Sequence, residues 1–501
     1  MLQKSKSLKL ISAFILLIII VDVFAACAGE STGLSETSAN TEVSGISDEE
    51  TDQLRENTPD RLPADLNFNG REIIIHHRGD DISNQEISAE LTGDVVDDVI
   101  YYRNQSVEER LNVKISGYKA EGWLQYNTAV SNLRGSIMAG DSTFDIIAGW
   151  SARIPSLSLE KLFLNLHEVK YIDMEQPWWV QTLITDLDLG GTLNFLTGDI
   201  ALTLLDAAYV VYFNKGIQNN YNVTDLYQTV FDKKWTIDKL AEVAKGISTD
   251  ANGDGVMDEN DIFGATWSAT NQVDCFLQGS GIKMIKKDSG GMPVLDIEYD
   301  KINTIVEKVY DFMFENNGVY SDYGNEMVFG GVQDKMFRSD RCLFFPSALG
   351  TATTSLKEME TDYGIIPYPK YDENQKEYYT RIQDSVSLWS IPITNSDPDA
   401  AGAVMEAMAA EGYRRVSPVY FEVALKVKYS RDDVSSQMLD IIRDGAYLNF
   451  ASVYNESIGY PWFVMRALMG TKSKDFASWY AKNEPIIQQN LQKVIDLFQN
   501  S

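Results

Sequence analysis

The sequence predicts an α/β protein with two lobes. Between residues 71 and 148, strand-like and helix-like segments alternate, an order typical of a parallel sheet covered by helices. About 430 residues follow position 67, more than one ordinary domain of roughly 100 to 200 residues holds. The whole chain is 44% hydrophobic, which is enough for a large core. We therefore expect two compact lobes rather than one.

The alternation begins with a strand over 71–77, where three consecutive isoleucines precede two histidines. Apolar residues at helical spacing then predict a helix that ends near Leu111. A second strand is predicted over 113–118 and a helix over 126–138. A short apolar strand over 144–148 completes the unit.

Later segments repeat this style of pattern. Strands are predicted over 209–214, 364–367 and 387–393, and a helix with one apolar face over 236–247. The chain is predicted to close with an amphipathic helix that starts at Pro485. No repeat with a period of 20 to 50 residues is present.

The N-terminus has the pattern of a bacterial lipoprotein signal peptide, over residues 1–26. Three lysines precede the apolar run 11–21, and the small residues Ala25 and Ala26 stand before Cys27. A retained transmembrane anchor is the alternative, but the run is shorter than the roughly 20 residues that span a bilayer, and Asp22 interrupts it. We expect Cys27 to carry lipid and to hold the protein at the extracellular face of the cell membrane.

The segment after Cys27 has the composition of a tether. Residues 28–67 contain no aromatic residue and are rich in Ser, Thr, Glu, Asp and Asn. Such a composition buries too little apolar surface to fold. We therefore predict a disordered, lipid-anchored tether over 27–67.

Charge and cysteine content exclude several classes of protein. The net charge of −30 repels phosphate backbones and anionic headgroups, so we expect no nucleic-acid partner. After Cys27 only Cys275 and Cys342 remain, which excludes a disulfide scaffold and a cysteine-rich zinc site. These two either form one disulfide or are buried free thiols, and we expect the thiols.

Several segments resemble the family 1 extracellular solute-binding proteins, the substrate-binding lipoproteins of ABC transporters. The resemblance covers the chain from about Arg71 to the C-terminus, and its segments occur in the family's order. They are Met138-Ala-Gly-Asp-Ser-Thr-Phe-Asp-Ile-Ile147, Gly191-Thr-Leu-Asn-Phe195, Tyr209-Val-Val-Tyr-Phe-Asn-Lys215, Lys234-Trp-Thr-Ile-Asp-Lys-Leu240, Asp362-Tyr-Gly-Ile-Ile-Pro-Tyr-Pro-Lys370 and Val416-Ser-Pro-Val-Tyr-Phe-Glu-Val-Ala-Leu425.

The resemblance implies the type II fold of periplasmic binding proteins, with two α/β lobes, hinge strands and a ligand cleft between the lobes. It places lobe 1 at 68–207 plus 366–412, and lobe 2 at 208–365 plus 413–501. It also implies a monomer that binds a carbohydrate, an oligosaccharide in our interpretation, and delivers it to the transmembrane subunits of an ABC permease. A peptide or another polar solute is the alternative ligand, and a surface-tethered carbohydrate-active enzyme is the alternative class of protein.

Candidate ligand-binding residues are aromatic and charged side chains near predicted strand ends and in loops. Sugar rings stack on Trp and Tyr, while their hydroxyls need charged or amide partners. Trp150 follows the strand 144–148, at the carboxyl end where open α/β sheets bind ligands. For each candidate the alternative is a packed core aromatic or a solvated surface charge. The predicted set is Trp150, Trp267, Asp274, Arg381, Asp384 and Trp462.

Residues 250–261 match the spacing of a calcium-binding loop. Oxygen ligands stand at positions 1, 3, 5, 9 and 12, a glycine at 6 and a backbone carbonyl at 7. Position 12 is Asp where Glu is usual, and the segment 263–267 that follows is predicted to be a strand instead of an exiting helix. We expect a single structural calcium site, the alternative being a polar turn without metal. The ligands would be Asp250, Asn252, Asp254, Val256, Asp258 and Asp261.

The sequence offers little support for catalysis. Its three histidines are His76 and His77, in a predicted buried strand, and His167. No His-Glu-x-x-His, Gly-x-Ser-x-Gly or phosphate-loop motif is present. We therefore expect a binding protein without catalytic residues.

Overall fold

The computed structural model describes residues 55–322, 331–426 and 433–499. The predicted signal peptide over 1–26 and the lipidation site Cys27 lie outside these residues. None of the described helices combines the length and the apolar character needed to cross a membrane.

The described chain is a mixed α/β structure, as the alternating pattern predicts. Its strands are β1 (Arg71–His77), β2 (Val113–Lys119), β3 (Ile146–Trp150), β4 (Tyr209–Asn214), β5 (Ser248–Thr249), β6 (Ile262–Ser268), β7 (Ile285–Lys287), β8 (Pro293–Leu295), β9 (Val319–Asp322), β10 (Cys342–Ala348), β11 (Tyr363–Ile366), β12 (Thr380–Arg381), β13 (Ser387–Ser390) and β14 (Ala446–Tyr447).

The α-helices are α1 (Asp81–Ser88), α2 (Val95–Leu111), α3 (Tyr126–Met138), α4 (Pro155–Leu159), α5 (Gln181–Leu187), α6 (Leu202–Asp206), α7 (Lys215–Asn220), α8 (Leu226–Phe231), α9 (Ile237–Lys245), α10 (Asn271–Gly279), α11 (Tyr299–Tyr310), α12 (Val332–Arg338), α13 (Pro398–Glu411), α14 (Ser417–Lys426), α15 (Asp433–Asp444), α16 (Phe450–Val453), α17 (Val464–Gly470) and α18 (Phe476–Gln499).

A four-stranded sheet is built mainly from the first part of the chain, in the order β13-β3-β1-β2. The central strand β1 pairs in parallel with both β2 and β3, and β13 joins the other edge of β3 in antiparallel orientation. The isoleucines of β1 explain its central place, because Ile73 and Ile75 are fully buried. The parallel arrangement brings the carboxyl ends of β2 and β3 to the same edge of the sheet.

A larger sheet contains strands from residues 209 to 366. Its order is β11-β4-β10-β6-β5, with β9 also paired to β6. The strand β4 is buried along its whole length, as its continuous apolar sequence predicts for a central strand. Helix α10 begins soon after β6 and packs against that strand.

The predicted lobe boundaries stay predictions, but one of them separates elements that are in contact. Helix α14 packs against α2, whereas the boundary at 412/413 assigns these helices to different lobes. The chain continues from α13 into α14 through a π-helical turn at Gly412–Val416, without leaving the surface of α2. Apolar periodicity shows that α14 has a buried face, but not which sheet this face covers.

The structured part begins earlier than the predicted end of the tether at residue 67. Arg55 is buried and forms an ion pair with Asp440 at 2.7 Å. Asp60 accepts hydrogen bonds from Arg110 and Arg414, and Leu62 is buried in the core. Ion pairs and a single leucine therefore hold 55–62 on the fold, although the composition of this segment is polar.

Cys275 and Cys342 are buried free thiols, as expected. Burial raises the pKa of Cys275 to about 12, so its thiol stays protonated at neutral pH. Both residues belong to the hydrophobic core. Their role in the fold is packing.

Candidate functional site

A cavity of about 360 Å³ lies beside the carboxyl end of β3, within the size range of small-molecule sites. Five parts of the chain form its walls: Trp123 after β2, residues 150–153 at the end of β3, helix α10, residues 381–384, and residues 448–466. The lining residues are Trp123, Trp150, Ser151, Ala152, Arg153, Asn271, Gln278, Arg381, Ile382, Gln383, Asp384, Leu448, Ser452, Val453, Asn455, Glu456, Tyr460, Trp462, Phe463 and Arg466.

Backbone contacts hold residues 381–386 against β3. The Ser151 amide donates to the carbonyl of Val386 at 3.0 Å, and the Ser151 hydroxyl donates to the carbonyl of Asp384 at 2.7 Å. Arg381 lies in β12, which pairs with β14. The position of Arg381 is thus fixed by a strand pair rather than by a free loop.

Trp150 and Trp123 form one aromatic wall of the cavity. Their ring centroids are 4.6 Å apart, and the guanidinium of Arg153 lies 5.0 Å from the Trp150 ring centroid. Trp150 is only 8% exposed, whereas Trp123 is 47% exposed. Trp123 therefore offers the accessible ring surface, and Trp150 supports it.

A second aromatic wall repeats this arrangement. Tyr460, which is 45% exposed, stacks on Phe463 with centroids 5.5 Å apart, and the Arg466 guanidinium lies 3.8 Å from the Phe463 centroid. Tyr460 adopts a left-handed backbone conformation with φ of 61°. The side chain of Asn455 accepts from the Trp462 amide at 3.1 Å, which fixes the turn that carries these rings.

Two ion pairs stand at the cavity wall. Arg153 binds Glu456 at 2.5 Å, which joins the segment after β3 to the segment before Tyr460. Arg466 donates through Nε to Asp274 at 2.8 Å and through Nη2 to Asn271 at 2.7 Å. Burial raises the pKa of Asp274, and the charge of Arg466 opposes this rise.

The predicted site residues divide into two groups. Trp150, Arg381, Asp384 and Trp462 line the cavity, and the structure brings them together from distant parts of the sequence. Trp462 is buried, and its indole Nε1 has no hydrogen-bond partner among the described residues. Whether these four contact a ligand stays a prediction.

Trp267 and Asp274 do not line the cavity, so the structure places both outside this candidate site. Trp267 is fully buried in β6, and its ring packs against Phe276, Phe312 and Tyr368. Asp274 lies on α10 and is covered by Arg466. Trp267 is therefore a core residue, and Asp274 positions a residue of the cavity wall.

Sequence reasoning missed the accessible rings, Trp123 and Tyr460. The rule that selects Trp150, proximity to the carboxyl end of a strand, also applies to Trp123, which comes shortly after β2. Tyr460 carries no such signal, because it lies in a turn between helices. The local sequence Gly459-Tyr-Pro461 indicates only a chain reversal.

The histidines of β1 are core residues, in line with the sequence interpretation. His76 lies between Tyr118 and Phe144, with ring centroids 5.5 and 5.0 Å away. Burial lowers the pKa of His76 to about 4. This imidazole is neutral at physiological pH and is enclosed by aromatic rings.

The loop at 250–261 is closed by its own carboxylates. Asp250 accepts from the amides of Gly253 and Gly255 at 2.7 and 2.8 Å, and Asp261 accepts from Ala251 and Asp258, both at 2.9 Å. These backbone hydrogen bonds lower the pKa of Asp261. Among the described residues, no three acidic, His or Cys side chains are gathered as a metal site. Calcium binding here stays a prediction.

Comparison with known sequences gives no assignment. No profile of a known protein family matches the chain, and no curated protein does either.

Solved structures, by contrast, match nearly the whole chain. A cyclo/maltodextrin-binding protein complexed with maltotetraose aligns with a TM-score of 0.52 and 12% identity, covering 86% of this chain and 97% of the other. A sugar transporter from Rhizobium etli, in an open conformation, aligns with a TM-score of 0.53 and 15% identity, covering 85% of this chain and 99% of the other. A family 1 extracellular solute-binding protein from Alicyclobacillus acidocaldarius aligns with a TM-score of 0.50 and 13% identity, covering 86% of this chain and 99% of the other.

At these identities the comparison concerns the fold. The aligned regions cover nearly all of each solved chain, so the match includes both lobes and not a single α/β unit. The resemblance that the sequence motifs indicate is confirmed at this level. The chain has the two-lobed α/β fold of the extracellular solute-binding proteins.

Proposed function

We propose that this protein binds a carbohydrate in the cavity beside β3 and delivers it to the permease of an ABC import system. The observation that carries the proposal is the pair of aromatic walls, each with an exposed ring, Trp123 or Tyr460, beside unpartnered polar groups. Exposed rings stack on the apolar faces of sugars, and polar groups bind the hydroxyls.

The fold supports binding in preference to catalysis. The aligned cyclo/maltodextrin-binding protein holds maltotetraose, and the aligned Rhizobium etli protein is a sugar transporter. Two-lobed binding proteins enclose their ligand by hinge closure, which exposes a new surface to a partner. We propose the same sequence of events here, with Cys27 as the lipid anchor that keeps the protein at the extracellular face of the membrane.

A thermal-shift screen of the purified full chain tests this function. The panel contains mono- and oligosaccharides, neutral and acidic, together with amino acids and short peptides. A ligand that binds only the folded state raises the melting temperature, by an amount that grows with its concentration over Kd. We expect one class of oligosaccharide to produce the largest rise.

Other results of the screen would contradict the proposal. A response to peptides alone would assign a different solute. Hydrolysis of an oligosaccharide during incubation, detected by chromatography of the products, would indicate a surface-tethered carbohydrate-active enzyme. Asp384 and Glu456 are the carboxylates to replace in that case, because both line the cavity and glycosidases use a carboxylate pair.

A further inference from the structure

We infer that the ligand carries a carboxylate, as uronic-acid oligosaccharides do, and that Arg381 binds this group. The inference rests on the proposed carbohydrate-binding function and narrows it to acidic sugars. It comes from polar groups of the cavity wall that have no hydrogen-bond partner among the described residues.

Arg381 is the first of these groups. It is 3% exposed and lines the cavity, and its Nε and Nη1 atoms have no hydrogen-bond partner among the described residues. Its nearest described aromatic partner is Tyr209, whose ring centroid lies 5.4 Å from the guanidinium carbon. A buried cation without hydrogen-bonded partners is unfavourable unless a ligand supplies them.

The other unpartnered groups are also mainly donors. Four buried donors of the lining lack a hydrogen-bond partner in the described part of the chain: the indole Nε1 atoms of Trp150 and Trp462, and Nε and Nη1 of Arg381. Gln278 Oε1 is the matching unpartnered acceptor. A neutral sugar hydroxyl brings one donor for its acceptor sites, whereas an ionised carboxylate only accepts. Four donors against one acceptor therefore favour a ligand with an acceptor-only group.

The remaining arginines of the wall already have acidic partners. Arg153 binds Glu456, and Arg466 binds Asp274. Arg381 lies within the electrostatic influence of Asp274 and Asp384, but its Nε and Nη1 atoms donate to no group of the described residues. This edge of the guanidinium is therefore available for a planar contact with a carboxylate. Asp384 lines the same cavity and suits the hydroxyls of the sugar.

Matched ligands test the inference on the unmodified full chain. Calorimetric titrations compare tri- and tetrasaccharides of galacturonate, glucuronate and mannuronate with their methyl esters and with the corresponding neutral oligosaccharides. We expect at least one uronate series to bind tenfold or more tightly than its methyl ester. The preference for the acid over the ester should persist in added salt, because an ion pair with the buried Arg381 is only weakly screened.

Replacing Arg381 then locates the contact. In Arg381→Gln the acid should lose at least tenfold in affinity and bind like its ester, while the ester keeps its affinity within about threefold. Arg381→Lys should retain part of the preference for the acid, since the charge remains without the fork geometry. Arg415→Gln, at an exposed position outside the cavity, is the matched control and should change the affinity for neither ligand.

Each of the other outcomes rejects either the inference about the carboxylate or the proposed function. Equal binding of acid and ester, or tighter binding of the neutral sugar, would overturn the carboxylate inference and leave carbohydrate binding intact. Tighter binding of peptides or simple dicarboxylates would overturn the assignment to sugars. No binding of any sugar would overturn the proposed function itself. If Arg381→Gln does not fold, the comparison of acid and ester on the unmodified chain decides alone.

Discussion

A tryptophan contributes to a binding surface only through the ring area that it leaves accessible. Trp150 is nearly enclosed by Trp123, Tyr126 and Arg153. Trp123 keeps about half of its surface exposed. The two residues therefore have different tasks: Trp150 stabilises the fold, and Trp123 is available to stack on a ligand.

Alanine substitutions should separate these tasks. We expect Trp123→Ala to weaken binding of the preferred oligosaccharide about fivefold to tenfold, the value of one stacking contact, with little change in melting temperature. Trp150→Ala should lower the free energy of unfolding by roughly 3–5 kcal/mol, because it leaves a cavity. Calorimetry and thermal denaturation measure the two effects. Leu124→Ala, next to Trp123 and 94% exposed, is the control; an equal loss of affinity there would argue against stacking.

Glu406 on α13 is a buried acid with an incomplete set of partners. Its Oε2 accepts from the Trp179 indole at 3.1 Å and from the Asp173 amide at 3.2 Å, while Oε1 has no partner among the described residues. Burial raises its pKa from 4.5 to about 8. The folded state therefore holds a proton that the unfolded state loses above pH 4.5.

This linkage predicts a loss of stability as pH rises from 4.5 to 8. Gln resembles the protonated acid, so Glu406→Gln should remove this part of the pH dependence. At pH 9 the free energy of unfolding of the variant should exceed that of the unmodified protein by about 5 kcal/mol, from about 1.4 kcal/mol per pKa unit, and the difference should shrink toward pH 4. Urea denaturation across pH measures this. Glu175→Gln, 86% exposed, should follow the unmodified protein; a constant offset for Glu406→Gln would contradict the linkage.

At the scale of elements, glycines set how closely α9 packs on the larger sheet. A Cβ on Gly264 of β6 would lie 2.1 Å from the carbonyl oxygen of Ala244, and one on Gly318 just before β9 would lie 1.9 Å from the same atom. The backbones of β6 and of the segment before β9 thus approach the last turn of α9 so closely that a side chain at Gly264 or Gly318 would not fit. The helix cannot move away without losing the buried contacts of Ile237 and Leu240.

We expect Gly318→Ala to destabilise the protein by about 1–3 kcal/mol or more through overpacking. Gly135→Ala is the matched control, since a Cβ there meets nothing within 4 Å on the exposed face of α3. That substitution should stabilise by about 0.5–1 kcal/mol, because Ala is the better helix former. Chemical denaturation measures whether each substitution lowers or raises the free energy of unfolding. A neutral result for Gly318→Ala would mean that α9 adjusts freely.

Calcium binding at 250–261 is the prediction that the loop sequence makes at this scale. We expect calcium to raise the melting temperature of metal-stripped protein and to release heat on titration. Asp250→Asn should abolish both effects, because Asp250 is the first ligand of the pattern. Asp288→Asn is the control, since Asp288 closes a similar turn through Gly290 and Met292 but lacks the ligand spacing. No heat on titration of the unmodified protein would leave the loop as a polar turn.

Elements with a strong local pattern are predictable from sequence, and the site is only partly so. The strands at 71–77 and 209–214 and the helix at 126–138 coincide with β1, β4 and α3. The last helix starts at Phe476 and not at Pro485, because the ring of Phe476 is buried and Pro485 is tolerated inside the helix. A proline indicates a possible helix start, but tertiary contacts decide where the helix begins.

Four of six predicted site residues line one cavity because strand ends and loops are visible in the sequence. Trp267 lies outside the cavity, because β6 is buried on both faces from Phe263 to Ser268 and a position near a strand end does not show which buried side chain borders a cavity. The ring pairs depend on contacts between distant segments. Glu456, for example, meets Arg153 across 303 positions of sequence. No local pattern contains such a pairing.

At the scale of the whole molecule, a net charge of −30 coexists with a cavity whose unpartnered groups are mainly donors. The acidic surface favours solubility and discourages contact with anionic membranes. Attachment to a membrane would therefore need a separate anchor, and we propose that lipid on Cys27 provides it. The described residues belong to one compact unit, and Cys27 lies outside the described residues.

This separation predicts the behaviour of a Cys27→Ser variant. If Cys27 carries the lipid as proposed, the expressed variant should move from the membrane fraction to the soluble fraction. Its affinity for the preferred oligosaccharide and its melting temperature should equal those of the lipidated protein, since the cavity residues lie between 123 and 466. Fractionation by immunoblot and calorimetry measure the two properties, and Ser31→Ala is the control for substitution nearby. Retention at the membrane would contradict lipidation of Cys27, and loss of binding would contradict the independence of the cavity from the anchor.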